Sequence, residues 1–137
     1  LDFGVDRLVT LIDHCDNKWL LSNFFDKQTD KPLAGALPYD LTEWNGIKIG
    51  LIGLVEESWI QTLGRVDPSS VRYVDYIEEG RRLAKELKEK GAELVFALTH
   101  VRLDNDIALA NQVPEIDAII GGHDHFYGMI NTYSLIS

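Results

Sequence analysis

The chain has 137 residues, 45% of them hydrophobic, enough to fill the core of one ordinary globular domain and too apolar for a disordered segment. Twenty-two acidic against 13 basic residues give a formal charge of -9, a field that repels phosphodiester backbones and anionic membranes and so disfavours bulk nucleic acid as a ligand. A single cysteine, Cys15, rules out a disulfide or a cysteine-based zinc site within these residues, and no run of about 18 apolar residues is present to span a membrane.

Val5, Leu8, Val9 and Ile12 recur at helical spacing, so residues 4–15 read as an amphipathic helix. Asp2 and Asp6 fall at its solvated start. His14, beside Cys15, falls at its C-terminal end, where an imidazole complements the helix dipole. "WLLSNFFD" (residues 19–26) has the length and aromatic content of a short buried strand, and a polar stretch follows through Pro32. In "YDLTEWNGIKIGLIGL", Asn45-Gly46 between two strand-like runs predicts a hairpin, because both residues tolerate the positive φ of a type I′ turn. Residues 47–54 then form a core strand, with Gly50 and Gly53 at positions where little side-chain volume fits.

Asp67-Pro68-Ser69-Ser70 marks a loop. Asp75 with Glu78 three residues later resembles a capping box with Asp in place of Ser or Thr. A helix is therefore predicted over residues 76–90, with Ile77, Leu83, Ala84 and Leu87 on its buried side, "KELKEK" solvated, and Gly91 as its stop. "ELVFALTH" reads as a buried strand ending at His100, "DIALANQV" as a short helix capped by Asp106, and "IDAIIGGHDH" as a strand ending at a glycine pair. Trp19, Trp44 and Trp59 read as packing residues rather than a stacking platform. The order helix, strand, hairpin, helix, strand, helix, strand, without repeats or linkers, predicts an α/β sheet.

Both His100 and His123 are thus predicted just past the carboxyl ends of core strands, the edge at which open α/β sheets bind ligands. Imidazole nitrogens suit borderline divalent metals, and His-x-His on a loop aims two rings in neighbouring directions. Gly121 and Gly122 let the backbone turn there without a Cβ in the way. Asp124 is either a ligand or an acceptor for a ring N–H. The competing reading is a polar loop after a strand, with glycines there for steric reasons.

"LTHVRLDNDIALANQVPEIDAIIGGHDH" resembles the last two metal-binding motifs of the calcineurin-like metallophosphoesterases, in the branch that includes the 5′-nucleotidases. "DFGVDRL", "WLLSNFFD", "PLAG", "WNGIKIGLIGLVEESWIQTL" and "EEGRRLAKELKEKGAELVFALTH" resemble that branch in the same order, so the resemblance covers residues 1–128. It implies an α/β fold, part of a four-layer α/β/β/α sandwich, and two divalent ions such as zinc, manganese or iron. It also implies a small phosphorylated substrate of the nucleotide class. Under it, His100 and His123 are ligands of the second metal and His125 a ligand of the first. Asp124, Asn105 and Asp106 fall beside them as supporting or structural residues, Arg102 stands in the same stretch, and no residue is assigned as catalytic.

The family's Asp-x-His, Gly-Asp and Gly-Asn-His-Glu motifs do not occur before "LDFGVDRL", and the stretch after Tyr127 departs from the family pattern. Residues 1–137 are therefore expected to form a partial domain, lacking the N-terminal half of the sandwich and a separate nucleotide-binding C-terminal domain. With three ligands split between two ions, this stretch alone is expected to be weakly active or inactive, and its uncovered face to pack or self-associate. Two other readings stand beside this one: a non-catalytic binding module on the same fold, and an α/β domain in which His123 and His125 hold a single structural ion.

Overall fold

The computed structural model describes residues 3–62, 64 and 66–131; Asp2 lies outside them. The elements in chain order are α1 (Val5–Asp13), β1 (Phe24–Asp26), β2 (Asp40–Trp44), β3 (Ile47–Val55), α2 (Glu57–Thr62), β4 (Val71–Tyr73), α3 (Tyr76–Glu89), β5 (Leu94–His100), α4 (Leu103–Gln112) and β6 (Ala118–Gly121). They form a four-stranded sheet in the order β2-β3-β5-β6 and a two-stranded sheet, β1-β4.

The hairpin forms where Asn45-Gly46 predicts it. Asn45 (φ 54) and Gly46 (φ 85) both take the left-handed conformation, and Trp44 pairs with Ile47 across the turn. β3, β5 and β6 then run parallel, with Val55 opposite His100 and Thr99 opposite Gly121. α3 lies on one face of this sheet. Asp75 caps it by accepting from the N–H groups of Ile77 and Glu78, and Gly91 (φ 93) ends it in the left-handed region. Leu83, Ala84 and Leu87 of α3 join Ile52, Leu54, Val95, Ala97, Leu109 and Val113 in one apolar core. Gly50 is required at that contact, because a Cβ there would lie 2.9 Å from Cδ1 of Leu87.

The segment 19–26 differs from its predicted form. Only Phe24–Asp26 is a strand, paired with β4, a three-residue strand too short to leave a periodic signal. Ahead of it, a single bridge pairs Leu20 with Leu37, the Ser22 N–H donates to the Gly53 carbonyl, and buried side chains add further bonds. Ser22 Oγ donates to the Pro38 carbonyl (2.6 Å) and accepts from the Gly53 N–H (2.8 Å). Asn23, fully buried, donates to the carbonyls of Val55 (2.8 Å) and Val74 (3.0 Å) and accepts from the Val55 N–H (3.0 Å). This polar pair stitches the crossing segment to the end of β3, where Leu21 and Phe24 cluster with Val55. A second apolar cluster forms there from Leu21, Phe24, Leu33, Val55, Val66 and Val71, with Val5, Ile12 and Trp59 against it.

The tryptophans also divide. Trp59 packs on Phe24, ring centroids 6.5 Å apart, as a core-side residue. Trp44 is 76% exposed and Trp19 40%, against the expectation that they are packed. The register gives the reason for Trp44: it shares with Ile47, Leu98 and Ile120 the sheet face opposite α3, and all four are exposed. α2, only six residues long, was not foreseen either. Among the described residues no helix is long and apolar enough to cross a membrane.

Two stability measurements check this description. Asn23→Ala removes one acceptor and two donor contacts inside the protein, and it should lower the unfolding free energy by on the order of 2–4 kcal/mol in urea titration with an unchanged m-value. A loss below about 0.5 kcal/mol, the scale of an ordinary surface substitution, would contradict the role given to this side chain. Gly53→Ala would place its Cβ 2.7 Å from the Leu20 carbonyl oxygen, a main-chain atom, and should cost about 1–3 kcal/mol by overpacking.

Candidate metal centre

Parallel pairing brings the ends of β3, β5 and β6 to one edge, and the loops that leave them carry the polar residues. His100 ends β5 on the face opposite α3, and His123 follows β6 by two residues. The structure brings these two rings together. His123 Nδ1 and His100 Nε2 are 3.2 Å apart, with ring centroids 4.9 Å apart at 86°. The contact is a hydrogen bond between the two rings; two imidazole nitrogens on one tetrahedral zinc ion, each at about 2.0–2.1 Å, are separated by a similar distance, roughly 3.3 Å. Trp59 braces the His100 ring from another side at 6.0 Å.

His125 is placed differently. It is exposed, adopts a left-handed backbone (φ 53), and lines a shallow cavity with Leu103, Asp106, Gly121, His123 and Asp124. Among the described residues, no three His, Cys, Asp or Glu side chains converge as a group that could hold an ion.

Asp106 does not cap α4. The helix begins at Leu103 with Arg102 as its N-cap residue, so Asp106 lies inside the first turn, and its carboxylate accepts from Thr99 Oγ1 at 2.7 Å. Burial pushes the Asp106 carboxyl above the usual range; the Thr99 bond opposes this, and the charges of Asp124 and Glu56 add to it. This carboxylate also explains Gly121, whose backbone does not take a left-handed conformation: a Cβ there would lie 2.4 Å from Asp106 Oδ2. The glycine serves close approach more than a sharp turn.

Asp124 serves the role predicted for Asp106. Its Oδ2 accepts the Leu103 N–H at 2.6 Å, capping α4 from the neighbouring loop. Asn105, in the same turn, donates through Nδ2 to Glu56 at 2.6 Å. Glu56 was not singled out from the sequence. It is 4% exposed, one residue past β3, and accepts from Ser58 Oγ, the Arg102 N–H (3.2 Å) and Asn105, with the Arg102 guanidinium at 3.0 Å. Burial pushes its carboxyl up, but the hydrogen bonds from Ser58, Arg102 and Asn105 and the Arg102 charge outweigh it, so the group lies below its usual range and is ionised at neutral pH. The signal available in the sequence was an acidic pair closing an apolar strand run, "GLVEE", which places a carboxylate at the ligand edge.

No protein-family model matches the chain. It is 34% identical over 117 residues to the 5′-nucleotidase of Vibrio cholerae, an alignment covering 76% of this chain and 21% of that protein. It is 30% identical over 121 residues to an uncharacterized metallophosphoesterase of Bacillus subtilis, covering 88% and 25%. The crystal structure of a 5′-nucleotidase precursor from Thermus thermophilus superposes with a TM-score of 0.82 at 25% identity, over 99% of this chain and 26% of that one. The chain thus spans about a quarter or less of the length of these relatives. α3 on one face of the sheet, with the opposite face covered at Val55 by the second apolar cluster and exposed at Trp44, Ile47, Leu98 and Ile120, matches part of an α/β/β/α sandwich. The relatives are phosphoester hydrolases by name, and on sequence and fold together the chain belongs to the calcineurin-like metallophosphoesterases, in the branch that includes the 5′-nucleotidases.

Proposed function

We propose that residues 1–137 are part of the catalytic domain of a metal-dependent hydrolase of phosphate monoesters, with nucleotides as the substrate class. In this reading His100 and His123 hold one divalent ion and His125 contributes to a second. The observation that carries it is the 3.2 Å approach of His123 Nδ1 to His100 Nε2, a separation suited to a shared ion. The nucleotide class rests on the names of the relatives.

Divalent ions bound at such an edge supply positive charge for a phosphate dianion and lower the pKa of a water molecule. The protein's own contribution is geometric. His100 is held by its place at the end of β5 and by the Trp59 ring beside it, and His123 by the loop that Asp124 ties to α4. Zinc, manganese and iron all remain compatible with imidazole ligands. Because three histidines divided between two ions fall short of the about four ligands a closed site uses, residues 1–137 alone hydrolyse weakly or not at all.

A second reading is favoured by one observation, the exposed apolar face. Trp44, Ile120 and Leu98 are 76%, 56% and 39% exposed on the same side of the sheet, as a surface that binds another protein would be.

Zinc titration by calorimetry tests the first reading. The chain should bind zinc, and His100→Ala or His123→Ala should each weaken binding at least tenfold, with hydrolysis of a nucleoside 5′-monophosphate by residues 1–137 near background. Zinc affinity indifferent to both substitutions would overturn the ligand assignment, and strong zinc-dependent turnover would overturn the weak activity. For the second reading, sedimentation velocity should show concentration-dependent association that Ile120→Glu reverses while zinc affinity stays unchanged.

A further inference from the structure

The spacing of His100 and His123 depends on how two separate strand ends are held, and the main chain between β5 and α4 is where they are held together. After His100 the chain passes through buried Val101 and enters α4 at Arg102 and Leu103. The N–H groups of these two residues belong to the set that no helix can satisfy internally, and Arg102 supplies no side-chain cap of its own. Both find carboxylates from neighbouring strand ends. Glu56, past β3, accepts the Arg102 N–H at 3.2 Å, and Asp124, past β6, accepts the Leu103 N–H at 2.6 Å.

One helix turn is therefore capped from two sides, and the caps lie in the loops that flank His100. Asp124 stands between His123 and His125, so its bond to Leu103 anchors the backbone of His123 to the turn that leaves His100. Glu56 cannot yield easily. It is buried, and its two oxygens also engage Asn105 Nδ2 at 2.6 Å and the Arg102 guanidinium at 3.0 Å. Moving the Arg102–Leu103 turn would leave an ionised buried carboxylate short of partners, a costly state. On the other side of the same loop, the Asp106 carboxylate, held by Thr99 Oγ1, occupies the space where Gly121 lacks a Cβ.

We propose that Asp124 and Glu56 are positioning residues that set the distance between the His100 and His123 rings by capping the same turn of α4 from two strand ends. The benefit of that spacing rests on the metal-binding reading above; the spacing itself does not. Neither carboxylate is a metal ligand in this account. Substituting residues that orient ligands commonly weakens metal affinity by about 10–100-fold, the range expected here.

The test uses the folded chain in two states. In the metal-free, nitrogen-15-labelled chain, the ring resonances of His100 and His123 report their mutual contact. Asp124→Ala should move both toward the values of a free, solvated imidazole, and Asp124→Asn, whose side-chain oxygen still accepts the Leu103 N–H, should restore them. Asp124 is exposed, so the substitution leaves the core intact, and unchanged amide resonances from α3 and β3 verify this. Glu56→Gln, isosteric in a buried position where Ala would leave a void, should give an intermediate shift. Zinc affinity should follow the same order, with Asp124→Ala at least tenfold weaker than Asp124→Asn. If folded Asp124→Ala keeps the wild-type ring resonances, the positioning role is overturned whatever zinc does. If the resonances respond in the predicted order while the unsubstituted chain binds no zinc, the positioning role stands and the metal-binding reading fails.

Discussion

The parallel pairing of β3 with β5 and of β5 with β6 is the constraint on which the candidate centre depends. Parallel strands deliver their carboxyl ends to one edge, so the loops bearing Glu56, Arg102 and His123 emerge together although they are far apart in sequence. The register is equally demanding. Val55 opposite His100 and Thr99 opposite Gly121 bring the end of β5 level with its neighbours, and a slip of one residue would carry His100 to the α3 face. Register is held by burial: Ile52, Leu54, Val95 and Ala97 are sequestered beneath α3, and none could be turned outward without loss of core.

Small residues convert this sheet into a site. Gly53 lets the Leu20 segment cross the end of β3, and Gly121 lets the Asp106 carboxylate tuck beneath the loop that carries His123. Charge is then concentrated at the edge. Glu56, Asp106 and Asp124 are close enough for the latter two to interact and for both Glu56 and Asp124 to raise the Asp106 carboxyl, and the Arg102 guanidinium sits on Glu56. The carboxylates serve main-chain N–H groups, the Asn105 amide and the Thr99 and Ser58 hydroxyls, while the His100 and His123 rings meet each other.

Much of this was legible in the sequence wherever a local rule had a single solution. Asn45-Gly46 specifies a hairpin, Asp75 a helix cap and Gly91 a helix end, and the apolar runs before His100 and His123 specify strands whose ends must carry them. What was not legible depends on contacts between distant segments. A helix may be capped from another loop, and nothing near Leu103 in sequence shows that Asp124, not Asp106, supplies the carboxylate. Ser22 and Asn23 read as part of a strand because their apolar neighbours are strand-like; only a bridge forms there, and their buried side chains supply most of the bonds to β3 and its surroundings. Trp44 reads as packed because tryptophan usually is, yet the face it shares with Leu98 and Ile120 is open. The family was legible from motif and order, and the comparisons agree with it.

The central claim is that the ends of β5 and β6 present two imidazoles to one divalent ion. X-ray absorption at the zinc edge of the zinc-loaded chain tests it most directly, because scattering from imidazole rings counts histidine ligands without reference to activity. The account predicts at least two imidazoles at about 2.0–2.1 Å, with one lost in His100→Ala and one lost in His123→Ala. A spectrum with one imidazole or none, or one unchanged by either substitution, would contradict it.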